Sequence, residues 1–140
     1  MKAEPGGPDP HHHAQAPTGA PVGCHAADSG VQALAASALQ EALIRLPHWH
    51  HEPERATLAR RFVFADFAQA FGFMTEMAIW SEKHDHHPHW CNLHRRVDVF
   101  LTTHDVDGLS ALDLAWAQAA DAAAVQRTAS SDAISVAANP

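Results

Sequence analysis

Apolar residues recur at helical spacing in three stretches and at strand spacing in two pairs of shorter runs between them. From Val31 to Leu46 they fall at positions 31, 34, 35, 38, 39, 42, 43 and 46, one face of an amphipathic helix. Asp28 or Ser29 is placed to cap its start, and Pro47 stops it. Trp49 to Glu52 reads as a short strand, and Leu58 to Phe64 as a second, with Phe62 and Phe64 on one face. Asp66-Phe67-Ala68-Gln69 is a capping-box pattern. Positions 67, 70, 71, 74, 77, 78 and 81 then mark one helical face as far as about Glu82. Phe73 and Trp80 lie off that stripe, which predicts apolar contacts on two sides of this helix.

Pro88 separates the second helix from two further strand-like runs, His89 to His94 and Val97 to His104. In the latter, Val97, Val99 and Leu101 alternate with Asp98, Phe100 and Thr102. Arg95-Arg96 is the expected turn. Antiparallel pairing about it sets His94 opposite Val97, Asn92 opposite Val99, Trp90 opposite Leu101 and, extended past Pro88, His87 opposite His104. Asp107-Gly108 is a loop, and Ser110-Ala111-Leu112-Asp113 is a second capping box, with Leu109 and Leu114 as its staple. The third helix is predicted to run to about Ala124 with Leu112, Ala115, Trp116 and Ala119 inward. The order helix, two strands, helix, two strands, helix places the chain in the α+β class.

Composition changes this picture mainly at the ends. Residues 1–28 are rich in Pro, Gly, Ala and His without period, so they are expected to form a disordered low-complexity tail that includes His11-His12-His13. One folded domain is expected over 29–126 and a flexible C-terminal tail over 127–140. The net charge of −7 speaks against a broad electrostatic grip on nucleic acid, and a basic spot such as Arg95-Arg96 is too small for a phosphate-tracking surface. No apolar run approaches the roughly 18 residues of a membrane span, and the N-terminus MKAEPGGPDP carries no secretory pattern. Cys24 and Cys91 are not expected to form a structural disulfide, so a cytoplasmic, reducing location is expected.

The compositional outlier is histidine, 13 in 140 residues. The predicted hairpin brings His87 and His104 together at its open end, with opposed side chains roughly 5 Å apart at Cβ. Glu82, one helical turn before His86, reaches toward the same region. A carboxylate beside imidazoles that titrate near neutral pH suits a reaction in which one atom gains a proton and another loses one. A metal site is the rival chemistry, since His84, Asp85, His86, His87, His89 and His94 are potential ligands. The chain, however, has no CxxC, HExxH or zinc-knuckle spacing. The bland alternative is that these are polar loop and strand residues without chemistry.

Around these residues the sequence resembles the pterin-4a-carbinolamine dehydratases. The pattern is Glu82-Lys83, then Asp85-His86-His87-Pro88, Trp90, Asn92, Thr103-His104, Gly108-Leu109-Ser110 and Asp113, with Asp66-Phe67 and Ala70-Phe71-Gly72-Phe73-Met74 similar to the family's second-helix opening. It covers about Trp49 to Asp121. The resemblance implies a four-stranded antiparallel sheet with three helices packed on one face. It also implies a metal-free, cofactor-free hydro-lyase acting on 4a-hydroxytetrahydropterin, the carbinolamine made by aromatic amino acid hydroxylases. His86, His87 and His104 are the implied catalytic residues, with acid roles for His86 and His104 and substrate contact for His87. Glu82, Asp85, Pro88, Trp90 and Thr103 are the implied substrate-binding residues. For Asp113 the capping-box role is physically sufficient. The pattern departs at His89, Cys91 and His94, where many relatives carry a Glu and aromatics.

Two other classes stay open: a binding or dimerisation module of the same fold, of the kind that partners transcription factors, and a His-rich metal-binding protein. Apolar residues on both faces of the last hairpin (Val97, Val99, Leu101 and Trp90 on one; Cys91, Leu93 and Phe100 on the other) predict a homodimer or tetramer. Association with an aromatic amino acid hydroxylase fits the implied substrate, with neither direct nucleic-acid contact nor a membrane expected.

Overall fold

The computed structural model describes residues 30–137, and side chains as far as Arg127. The elements are α1 (Ala36–Arg45), β1 (His50–Glu52), β2 (Thr57–Val63), α2 (Phe67–His84), β3 (His89–Leu93), β4 (Arg96–Leu101) and α3 (Ala111–Ala137), with single 3-10 turns at Pro53–Arg55 and His104–Val106. The strands form one antiparallel sheet in the order β1-β2-β4-β3. This is the expected α+β architecture. The predicted tail at 1–28 lies outside the described residues. Of the predicted tail at 127–140, residues 127–137 belong to α3 and 138–140 lie outside.

Strand alternation builds the core. Val97, Val99 and Leu101 of β4 are fully buried and meet Phe62, Arg60 and Leu58 of β2 across the ladder. Phe73 of α2 packs on Phe62 and Phe64, with ring centroids 4.8 and 5.0 Å apart. Trp116 of α3 sits edge-on to Trp49 and Trp90, and its indole N–H donates to Ser81 Oγ at 2.9 Å. Arg60 is a charge on the inner face. Its guanidinium lies 4.2 Å from the Phe62 ring centroid and pairs with Asp121 of α3, which also accepts the Trp49 indole N–H at 2.8 Å. Burial lowers the pKa of Arg60 from its ordinary value, and Asp121 opposes that shift.

Long-range partners overturn several local expectations. The first helix begins at Ala36 rather than Val31, because Ala33 pairs with Ser110 and the Leu34 N–H donates to Leu109 O at 2.8 Å, holding this stretch extended. Its candidate caps, Asp28 and Ser29, lie outside the described residues. The last hairpin turns at His94-Arg95, not Arg95-Arg96: Trp90 opposes Val99, Asn92 opposes Val97 and Leu93 opposes Arg96. Three features select this turn. His94 takes the left-handed conformation (φ 53°), the Asn92 amide donates to the carbonyls of His94 and Arg96, both at 2.9 Å, and the Phe64 N–H donates to Arg95 O at 2.9 Å. The register differs from the expected one by two residues, so every side chain keeps its predicted face.

Two helix faces are also rotated. In α2, Ala70, Phe73, Met77 and Ser81 are buried, whereas Phe67 and Phe71 are 47% and 56% exposed. The aromatic pocket around Phe62 and Phe64 selects Phe73. In α3, Asp113, Trp116, Ala117, Ala120 and Ala123 face inward and Ala115 is exposed. An alanine-rich helix has little apolar contrast of its own, so Asp113 and Trp116 set its rotation. α3 continues to Ala137 rather than ending near Ala124, with no Gly or Pro to stop it before Pro140. Among the described residues, no helix is long and apolar enough to cross a membrane.

Candidate active site

The DHHP segment leaves α2 through a left-handed cap. Asp66 starts the helix by accepting the Gln69 N–H at 2.8 Å. After the helix's 18 residues Asp85 closes it at φ 49°, a conformation Asp tolerates better than most residues. The N–H groups of Asp85 and His86 both donate to Ser81 O. This turn sends the His86 side chain inward, where it is 7% exposed, and leaves His87 outside. Pro88 then leads into β3.

The second segment leaves β4. Thr103 and Gly108 bridge to each other, with Thr103 N–H to Gly108 O at 2.7 Å and Gly108 N–H to Thr103 O at 3.3 Å. This closes the loop containing the 3-10 turn that His104 opens. The Thr103 side chain is buried and His104 is exposed.

One carboxylate joins the two segments. Asp113, fully buried in the first turn of α3, has Oδ1 at 2.8 Å from His86 Nε2. Its Oδ2 accepts the Thr103 hydroxyl at 2.7 Å and the Ser110 N–H at 2.8 Å. Ser110 Oγ lies 2.8 Å from Thr103 Oγ1 and accepts the Leu112 N–H at 3.2 Å. The Asp113–Ser110 contact is the expected capping box, and the other oxygen adds the tie to His86. His87 and His104, each one residue beyond an anchored neighbour, therefore extend into solvent from segments held by the same carboxylate. They are not ladder partners as expected, because β3 begins at His89, opposite Phe100, and β4 ends at Leu101.

The remaining candidates separate into outer and inner groups. Glu82 Oε1 lies 2.8 Å from His87 Nε2, with the Glu82 side chain 81% and the His87 side chain 54% exposed, so the contact orients the ring more than it stabilises the fold. Trp90 is half-buried against Trp116, where it belongs to the core. The Thr103 hydroxyl is committed to Asp113 and Ser110. His84 stacks on Trp80 at 3.8 Å with Nδ1 2.8 Å from the Trp80 carbonyl, and His89 lies against Phe100. Among the described residues, no three His, Cys, Asp or Glu side chains converge as a metal's ligand set would.

Comparison with known proteins places this arrangement. The sequence profile of the family described as Pterin 4 alpha carbinolamine dehydratase matches residues 32–123. The chain belongs to that family. It is 51% identical over 84 residues to a protein of Rhizorhabdus wittichii that carries the provisional name pterin-4-alpha-carbinolamine dehydratase, an alignment spanning 60% of this chain and 87% of that one. A protein of the same provisional name from Bradyrhizobium sp. is 48% identical over 94 residues, covering 67% of this chain and 95% of its own. Among solved structures, the transcriptional coactivator/pterin dehydratase from Brucella melitensis superposes with a TM-score of 0.64 at 43% identity, over 66% of this chain and 98% of that one.

Sequence reasoning named the family and the three histidines but missed the anchor. Asp113 and Ser110 read as a helix cap, which they are, and nothing in local spacing connects them to His86, 27 positions away. The available signal was the Gly108-Leu109-Ser110 and Asp113 pattern, which the resemblance already set beside Asp85-His86-His87-Pro88 and Thr103-His104.

Proposed function

We propose that this chain is a hydro-lyase that removes water from a 4a-hydroxytetrahydropterin to give the quinonoid dihydropterin. The observation that carries the reading is the single buried carboxylate that ties the Asp-His-His-Pro turn to the Thr-His turn in a chain of the dehydratase family. Dehydration requires a proton at the departing 4a-hydroxyl and loss of a proton from the adjoining ring nitrogen. The carbon–oxygen bond breaks with its electron pair onto oxygen, which leaves as water after taking a proton from one imidazolium. The nitrogen–hydrogen pair becomes the new carbon–nitrogen π bond, and a second imidazole takes that proton. His104, exposed at the start of its loop, is assigned as the acid, and His87, steered by Glu82, contacts the substrate. His86, engaged at Nε2 by Asp113, is assigned an acid role as well, and whichever of the two histidines is neutral takes the ring-nitrogen proton. Asp85 and Pro88 shape the turn that presents His87, and Trp90 and Thr103 support the site from within.

The test is turnover of chemically generated 4a-hydroxytetrahydropterin, in chelator, by the wild type and the His87→Ala and His104→Ala variants. Wild-type turnover is expected, with a loss of about 100-fold or more in His104→Ala, the usual scale of acid–base catalysis, and a raised KM in His87→Ala, whose side chain contacts substrate. No wild-type turnover, or equal rates in all three, refutes the reading. We also propose that the enzyme acts in the cytoplasm, downstream of an aromatic amino acid hydroxylase. We also propose a homo-oligomer, a dimer or tetramer: Phe67, Phe71 and Ile79 leave an apolar stripe exposed on α2, and Val63 and Leu93 do so on the sheet.

A further inference from the structure

Among the described residues the helices pack on one face of the sheet, that of Val97, Val99 and Leu101, and leave the other bare. The register lines up three rows across the bare face: His50, Ala59, Phe100 and His89; then Arg61, Asp98 and Cys91; then Val63, Arg96 and Leu93. The small side chain in the first row leaves a hollow of about 260 Å³ over Ala59, walled by His50, Glu52, Arg61, Asp98 and Phe100. That lies just under the roughly 300 Å³ at which sites for drug-sized ligands begin, so the hollow takes one ring. Charge on this face has the opposite sign to that of the chain. Asp98 is shared by two guanidiniums, Arg61 Nε at 2.6 Å and Arg96 Nε at 3.2 Å, and Glu52 lies 3.5 Å from Arg55. Three guanidiniums thus meet two carboxylates, on a chain of net charge −7. Both contacts to Asp98 run through Nε, and among the described residues no hydrogen bond takes the Nη groups of Arg61 or Arg96. Planar forks of this kind recognise the oxygens of carboxylates and phosphates.

We propose that this bare face is a second ligand site, for a small aromatic anion of the nucleoside monophosphate type: the ring enters the hollow over Ala59 against Phe100, and the phosphate takes the Nη groups of Arg61 and Arg96. Spacing selects this class. Arg61 pairs with Asp98, two residues from Phe100, so it is the diagonal neighbour of Phe100, roughly 7–8 Å away. An aryl carboxylate carries its charge at the ring edge and cannot engage both. A base joined to its phosphate through a sugar spans the gap. The aromatic wall favours a flat ring, by stacking on Phe100. Glu52, at the far end of the hollow from Arg61, offers an acceptor to a ring amino group and repels a second phosphate. The face therefore suits one nucleotide rather than a strand. None of these residues belongs to the histidine turns, and the site does not rest on the dehydratase reading.

The test is titration of the full chain with adenosine 5′-monophosphate, followed by amide 1H–15N shifts, with adenosine, inorganic phosphate and a single-stranded oligoadenylate as comparison probes. The expected Kd is about 1 mM or tighter, with the shifts gathered at Ala59, Arg61, Asp98 and Phe100. Adenosine and phosphate alone should each bind at least about tenfold more weakly, because each engages only one half of the site. Arg61→Gln, which keeps Asp98 paired with Arg96, should weaken the nucleotide about tenfold, the scale of one charge-assisted hydrogen bond. Phe100→Val keeps a strand-forming residue and removes the ring, and should weaken it about threefold or more. Phe71→Glu, on the apolar stripe of α2, should leave affinity unchanged, which separates this site from general adhesion to exposed aromatics. No shift with the nucleotide up to about 10 mM, shifts gathered at the histidine turns instead, or equal affinity in wild type and Arg61→Gln overturns the proposal. An oligoadenylate bound more than about tenfold tighter than the mononucleotide overturns the commitment to a single nucleotide. Shift mapping is made on the wild type, so the location is decided even if a variant does not fold.

Discussion

Replacing Asp113 with alanine removes the acceptor of three buried donors: His86 Nε2–H, the Thr103 hydroxyl and the Ser110 N–H. The Thr103 hydroxyl can turn to Ser110 Oγ, 2.8 Å away, and so recovers a partner. The other two have none in that pocket, and each unsatisfied buried donor costs about 1–3 kcal/mol. Two such donors put the expected loss at about 2–6 kcal/mol. That is a large part of the roughly 5–15 kcal/mol that holds a domain together, and it lowers the midpoint by roughly 10–40 °C for a domain of about 100 residues. Asp113→Asn, which keeps the amide oxygen for two donors, should lose about 1–2 kcal/mol. Urea unfolding followed by far-ultraviolet circular dichroism and by tryptophan emission reports both values, since Trp116 and Trp90 lie in the adjoining core. An alanine variant within about 1 kcal/mol of wild type, with an unchanged m-value, would refute the reasoning, because the three donors would then have partners other than this carboxylate.

Gly72 sits in mid-helix where a Cβ would come within 2.6 Å of Arg127 Nη1, and Arg127 donates to the Gly72 carbonyl and to Glu76, both at 2.8 Å. Gly72→Ala is therefore expected to be close to neutral in the wild type but stabilising by about 1 kcal/mol in an Arg127→Ala background, where only helix propensity remains. Equal effects in both backgrounds, measured by urea unfolding, would show that the two residues are uncoupled. Leu101→Ala, at a fully buried position facing Leu58 across the central strands, should cost about 2–5 kcal/mol by the same measurement. Phe71→Glu, on the exposed stripe of α2, should leave monomer stability within about 0.5 kcal/mol and shift sedimentation velocity toward a smaller species. An unchanged sedimentation coefficient would place any oligomer contact elsewhere.

Residue types and local spacing alone determined the order of the seven elements, the Asp66 and Ser110 helix starts, the buried side of β4, and the histidines at which to look. Each is a property of neighbours within one or two turns of chain, where side-chain period and capping chemistry act before any tertiary contact forms. The tertiary structure decided what local spacing leaves degenerate. Two hairpin registers two residues apart bury the same faces, and the Asn92 amide, the Phe64 N–H and the left-handed His94 choose between them. An aromatic pocket turns Phe73 inward and leaves Phe67 and Phe71 outside. The start of α1 yields to pairing with the entrance of α3. Asp113 is the clearest case. As a cap it was legible, because its partner Ser110 is three residues away. As the anchor of His86 and Thr103 it was not, because only the packing of α3 against the ends of α2 and β4 brings its second oxygen within hydrogen-bonding distance of an imidazole 27 positions earlier in the chain.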